Sequence, residues 1–195
     1  MEKAVSSPGR PRNPDLDQAI LEVACQHLAE HGYGGMSIEG VALAAGVGKT
    51  TIYRRYPHKR ALAAAAIASL IQAVGNPPDT GDAFADLVAS LEETHQLIQA
   101  VNSIPLIGAL LVEEQSDPEL MDIFREQVIH PRRAQLNQIL ERGIQRGDLR
   151  HDLLIESVID MLFGAFLGCH LDGRPTTPDW IRSIVQIVWS GIRSS

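Results

Sequence analysis

The chain has 195 residues, of which 45% are hydrophobic, enough for one ordinary domain or two small ones with a full core. Its net charge of -7 excludes a protein that binds polyanions over its whole surface. The charge is unevenly divided: residues 1–60 carry eight Lys/Arg against six Asp/Glu and the rest nine against eighteen, so only the N-terminal end is expected to meet a polyanion.

Residues 1–14 are rich in Pro, Gly, Ser and Arg and form a basic arm. Asp15 after Pro14 starts a helix, with Leu16, Ile20, Val23, Ala24 and Leu28 at helical spacing, and Gly32 and Gly34 end it. Ser37 caps a short second helix that buries Val41, Ala42 and Ala45, and Gly46 turns the chain. A third helix covers about 49–55 and stops at Pro57; a fourth runs from about 58 to 74. After the break GNPPDTG come helices near 82–101 and 104–115 and one opened by Ser116-Asp117-Pro118. Pro131 is expected to kink or divide that helix before Gly147 ends it. Two last helices span about 152–171 and 178–193. No segment shows strand alternation, so the fold class is all-α.

The last two helices are apolar on more sides than one small core can cover. A homodimer that packs them as a four-helix bundle is the expected solution, with Ile155, Ile159, Leu162, Trp180, Ile184 and Val188 at the interface. Cys25 and Cys169 are far apart and sit in apolar patterns, the usage of buried thiols in a reducing cytosol. The N-terminus lacks the apolar stretch of a signal peptide, and the greasiest run, 153–171, carries Glu156, Asp160 and His170. A cytoplasmic protein with no membrane partner is therefore expected.

Two chemistries compete for residues 37–56. Gly48-Lys49-Thr50 matches the end of a phosphate-binding loop, and a small nucleotide-binding protein is the alternative reading. That loop requires a glycine where the chain has Leu43, and a strand where the spacing is helical. The other reading is a helix-turn-helix. The run GKTTIYRRYPHKR holds five Lys/Arg, one His, two Tyr and no acid. Ile52 seats the helix, and Gly48, Lys49, Thr50, Thr51, Tyr53 and Arg54 fall on its outward or N-terminal side, within reach of base edges and phosphates. Tyr56 and Lys59 suit phosphate, and Ser37 would donate to a phosphate at the start of its own helix.

The order Ser-Ile-x-x-Val-Ala-x-x-Ala-Gly-Val from Ser37, then Lys-x-Thr-Ile-Tyr-x-x-Tyr-Pro-x-Lys-x-Ala-Leu from Lys49, resembles the TetR family of transcriptional regulators. Gly48 stands in place of the usual Ser, and Arg60 in place of a common acid. The later FREQVIHPRRAQLNQILERGIQRGDLRHD is similar to the C-terminal domain of one branch of that family. The resemblance implies an all-helical homodimer on a double-stranded DNA operator, with a separate small-molecule effector pocket, and usually repression. It divides the chain into the arm (1–14), a three-helix DNA-binding domain (15–60) and a helical effector-binding and dimerisation domain (61–195).

In the arm, Gly9-Arg10-Pro11-Arg12 resembles the short motif that lies in A·T-rich minor grooves. Replacing Arg10 and Arg12 by Ala is expected to weaken operator binding and flatten its salt dependence; an unchanged salt slope in a titration series rejects that role. For the effector pocket, the apolar candidates are Phe84, Leu87, Leu91, Leu111, Phe124, Met161, Phe163 and Phe166, with Ile107 beside them. His95, His130 and His170 do not share a metal-ligand spacing, so neither metal nor cofactor is expected. The acidic C-terminal part leaves a cationic effector open, although surface charge says little about a buried pocket. No converging acid, base and nucleophile points to an enzyme.

Overall fold

A computed structural model describes residues 14–70, 76–100 and 103–194. The arm with Arg10 and Arg12, and the end of the fourth predicted helix, lie outside the described residues. The described residues form ten α-helices and no named strand. Helix α1 (Pro14–Gly35) breaks at Gly32, where φ is 66° and ψ 174°. Helices α2 (Ile38–Ala44), α3 (Lys49–Tyr53) and α4 (Lys59–Ser69) complete the N-terminal head. Ile20, Val41, Ile52 and Leu62, one from each helix, are fully buried together at 0% exposure.

The turn between α2 and α3 is closed by backbone alone. Gly46 takes φ 66°, which allows its N–H to reach Leu43 O at 3.2 Å and Val47 N–H to reach Ala42 O at 2.9 Å. These two bonds satisfy the last carbonyls of α2, and a side chain at Gly46 would strain them.

Six more helices follow: α5 (Ala83–Ala100), α6 (Ser103–Glu114), α7 (Glu119–Phe124), α8 (His130–Arg146), α9 (Ile155–Leu171) and α10 (Pro178–Ile192). Helices α7 and α8 are one continuous helix joined by a wide π turn, Arg125–Ile129. The expected break at Pro131 is thus absorbed. Proline has no N–H to give the carbonyl of Gln127, and its ring crowds that carbonyl; widening the turn relieves both without ending the helix. Gly147, at φ 83°, stops α8 as expected. Thr177 caps α10 through its hydroxyl oxygen, which accepts from Trp180 N–H at 3.2 Å. The end of α10 is pinned to the α8–α9 loop by Arg150 N–H to Ile192 O and Ser194 N–H to Asp148 O, both 3.0 Å.

Packing divides into two apolar clusters. The first joins the head to α6 and α7, with α1 lying along α6 and α4 along α7. The second is built from α5, α8, α9 and α10. Arg60 adds a polar clamp to the first, reaching from α4 to Asp117 and Glu119 at the start of α7. An acid at position 60 would face those two carboxylates, which explains the departure from the family pattern. No single helix among the described residues is long and apolar enough to cross a membrane.

Cys25 lies within the first cluster and its thiol donates to Ala66 O at 3.1 Å. Burial, aided by Glu22, pushes its pKa up to about 12. The thiol therefore stays protonated through the neutral range, and the thiolate is the reactive form. Iodoacetamide at pH 8 is expected to spare Cys25 in the native protein and label it in urea; rapid native labelling, read by peptide mass spectrometry, would contradict this.

Candidate nucleic-acid interface and internal cavity

Helix α3 is short because Pro57 follows closely and because its start has no side-chain cap. Gly48 is extended (φ -72°, ψ 140°), and Thr51 N–H returns to its carbonyl at 2.8 Å. Ile52 anchors the helix at 0% exposure, which turns Lys49, Thr50, Tyr53 and Arg54 outward. Tyr53 is 46% exposed, a large ring presented to solvent beside two cations. Thr51 is half-buried. Ser37 is exposed, and its Oγ accepts from Gly40 N–H at 3.0 Å, which leaves its own proton to donate.

Two basic residues of the same run turn inward. Arg55 pairs with Asp17 of α1 and donates to Thr51 O at 3.1 Å. The Lys59 ammonium donates to Tyr33 O at 2.7 Å and sits 4.3 Å from the Tyr33 ring centre. Lys59 was expected at a DNA phosphate; its first role is to hold the end of α1 on α4. Tyr56 is half-buried against the first cluster. The phosphate-loop alternative fails on geometry: Gly48-Lys49-Thr50 follows a helix and a tight turn, where that loop requires a strand.

A cavity of about 370 Å³ lies between the two apolar clusters. One wall is Ile107, Phe124, Val128 and Ile129 from the first cluster; the other includes Ile98, Phe163 and Phe166 from the second. Of the residues expected to line a pocket, Phe124, Phe163 and Phe166 do so, and Ile107 with them. Leu87 and Leu91 are fully buried in the second cluster instead. Phe84 packs edge-on against Trp189, 5.5 Å between ring centres, away from this cavity. Leu111 and Met161 are surface residues, 48% and 55% exposed. Among the histidines, His95 stacks on Phe166, 6.5 Å between ring centres, and is not in the lining.

The sequence reading missed the most buried charged group of this cavity, Arg132. It is 4% exposed, and its Nε and Nη1 have no hydrogen-bond partner among the described residues. Burial lowers its pKa, opposed by Glu93, whose carboxylate lies 4.0 Å from Nη1. One signal was available: Arg132 continues the stripe Leu136, Ile139 and Gly143 that faces the protein interior along α8.

The residues expected at a dimer interface fall into two groups. Ile159 and Leu162 are at 0% exposure inside the second cluster, where they are covered by helices of their own chain. Ile155, Trp180, Ile184 and Val188 are half-buried against the same cluster. The apolar residues left at the surface of α9 and α10 are Met161, Leu167, Leu171 and Ile187, the last 69% exposed. Met161, Leu167 and Leu171 share α9 with Gly164 and Gly168, beside which no atom outside the helix's own backbone and the adjoining residues lies within 4 Å of where a Cβ would stand.

A capped helix-turn-helix with an exposed basic reading helix, joined to a helical domain that encloses a cavity, defines a helix-turn-helix DNA-binding protein. The profile of bacterial regulatory proteins of the tetR family matches residues 20–66, and that of the tetracyclin repressor-like C-terminal domain matches residues 77–188. The HTH-type transcriptional regulator YdeS of Bacillus subtilis is 30% identical over 191 residues, covering 97% of this chain and 96% of its own. A DNA-binding transcriptional repressor, TetR, of Mycobacteroides abscessus is 32% identical over 143 residues, 73% of this chain and 75% of its own. The crystal structure of the TetR family regulator SCO0332 superposes with a TM-score of 0.61 at 26% identity, covering 91% of this chain and 98% of that one. The chain belongs to the TetR family. It is a DNA-binding transcriptional regulator.

Proposed function

We propose that this protein is a homodimeric repressor, released from a palindromic DNA operator when a small, largely apolar effector occupies the cavity. The carrying observation is the shared wall: Ile107, Phe124, Val128 and Ile129 line the cavity and also belong to the cluster on which the head is seated. A ligand that moves this wall moves the support of α1 and α4. Two reading helices reach successive major grooves only at a spacing of roughly 34–36 Å, so a small change in head position is enough to lose the operator. The ligand must bind the DNA-incompetent state more tightly, or nothing is released. The repressor sense is supported by the name of the M. abscessus relative.

In this reading Lys49, Thr50, Thr51, Tyr53 and Arg54 contact the groove, with Ser37, Gly48 and Tyr56 at the backbone, and a second copy covers the exposed strip Met161, Leu167, Leu171 and Ile187. Fragments of genomic DNA selected by the protein should yield one two-fold symmetric sequence; recovery of unrelated fragments, or of single half-sites, would reject this reading.

A further inference from the structure

The polar groups around the cavity are matched, with one exception. Thr94 gives its hydroxyl to Ser90 O at 3.0 Å. Asp160 accepts from Arg133 at 2.7 Å, and Arg133 also pairs with Glu156. Among the described residues Arg132 alone is left short: Nε and Nη1 donate to no acceptor there, and Glu93, half in solvent at 46% exposure, is too distant at 4.0 Å to form a hydrogen bond. A guanidinium in this state carries its full desolvation cost with little in return. The rest of the lining is apolar side chains from four helices and the π turn. Such a cavity rejects a cation and under-uses a neutral ligand. It rewards a ligand whose anionic end accepts from Arg132 while its body fills the apolar space.

We infer that the effector is an amphipathic monocarboxylate, its carboxylate held by Arg132 and its hydrocarbon or aryl body packed against Ile107, Phe124, Phe163 and Phe166. This inference rests on the proposed effector-controlled function and names the ligand class for the same cavity. It replaces the cationic effector that the acidic C-terminal charge leaves open. The lowered pKa of Arg132 agrees with it, since an anion at the guanidinium would raise that pKa again.

The test uses matched ligands on one body, 4-phenylbutanoate and decanoate, each with its primary amide and amine, titrated into the full-length protein by calorimetry. Each acid that binds is expected to bind at least about tenfold more tightly than its amide, with the amine weakest. Arg132→Met is expected to erase that preference. The same substitution is expected to raise the melting temperature of the free protein, because a buried charge with only a distant carboxylate is replaced by an apolar chain of similar length. Equal binding of acid and amide, no binding by either acid at millimolar concentration, or an unchanged acid preference in Arg132→Met overturns the inference. The wild-type acid-to-amide comparison needs no variant, so poor folding of Arg132→Met leaves the test intact. Operator affinity is measured in parallel. Acid binding that leaves operator affinity unchanged keeps the carboxylate site and rejects effector release; release by the amides and not the acids does the reverse.

Discussion

Lys49→Ala combined with Arg54→Ala is expected to lower operator affinity about 100-fold or more, with no change in fold. Both side chains are exposed, and no hydrogen bond or ion pair ties either to the rest of the protein among the described residues, so stability should move by less than about 0.5 kcal/mol. Each contact to a base edge contributes about 1–3 kcal/mol, and each phosphate cation adds roughly 0.9 to the slope of log affinity on log salt. The double variant should therefore also show a shallower slope, by one to two ions per head by that estimate. Fluorescence anisotropy across a salt series measures both. Arg55→Ala is the informative contrast. Its partners are Asp17 and Thr51 O, so it should lower the melting temperature and weaken binding only through the looser head. If Arg55→Ala instead matched the double variant in a still-folded protein, the assignment of Lys49 and Arg54 to the groove would be wrong.

Leu167→Glu with Ile187→Glu is expected to leave folded monomers. Leu167 is 47% and Ile187 69% exposed, so neither substitution burdens the core of the single chain. In a two-fold interface, however, the same face meets itself, and four carboxylates would be brought together out of water. Sedimentation should show half the mass, with unchanged helical circular dichroism. Operator affinity should fall by at least about three orders of magnitude, the lower end of the gap between specific and non-specific binding, because one head cannot span two half-sites. A double variant that still sediments as a dimer would place the interface elsewhere.

Local chemistry made most of the fold legible. Ser37, Gly46, Gly147 and Thr177 each act on their own neighbours along the chain, and each does what its type predicts. The reading helix was legible for the same reason: one apolar anchor, Ile52, fixes which residues point out. What stayed hidden depends on partners distant in sequence. Lys59 and Arg55 look as free as Arg54 until Tyr33 and Asp17, 26 and 38 residues away, are brought beside them. Leu111 and Leu110 are neighbours of equal hydrophobicity, yet one is 48% exposed and the other 1%, a distinction set by the phase of α6 against α1. Ile159 and Leu162 were assigned to the dimer because α9 is apolar all round; which side its own chain covers is a tertiary fact. Arg132 was passed over because a basic residue after proline reads as surface, and only the stripe it shares with Leu136 and Ile139 says otherwise.

The two walls of the cavity differ in their freedom to change. Phe124 and Val128 line the cavity and also pack in the cluster that seats the DNA-binding head, so under the proposed function a substitution there would alter response, stability and basal occupancy of the operator together. Leu97 and Phe163, on the opposite side, carry no such double duty toward the head. Divergence toward new effectors should therefore accumulate on α5 and α9, while the α6 and α7 side drifts slowly. A library built to retrain this regulator has the better odds if it varies Leu97, Ile98 and Phe163 and leaves Phe124 alone.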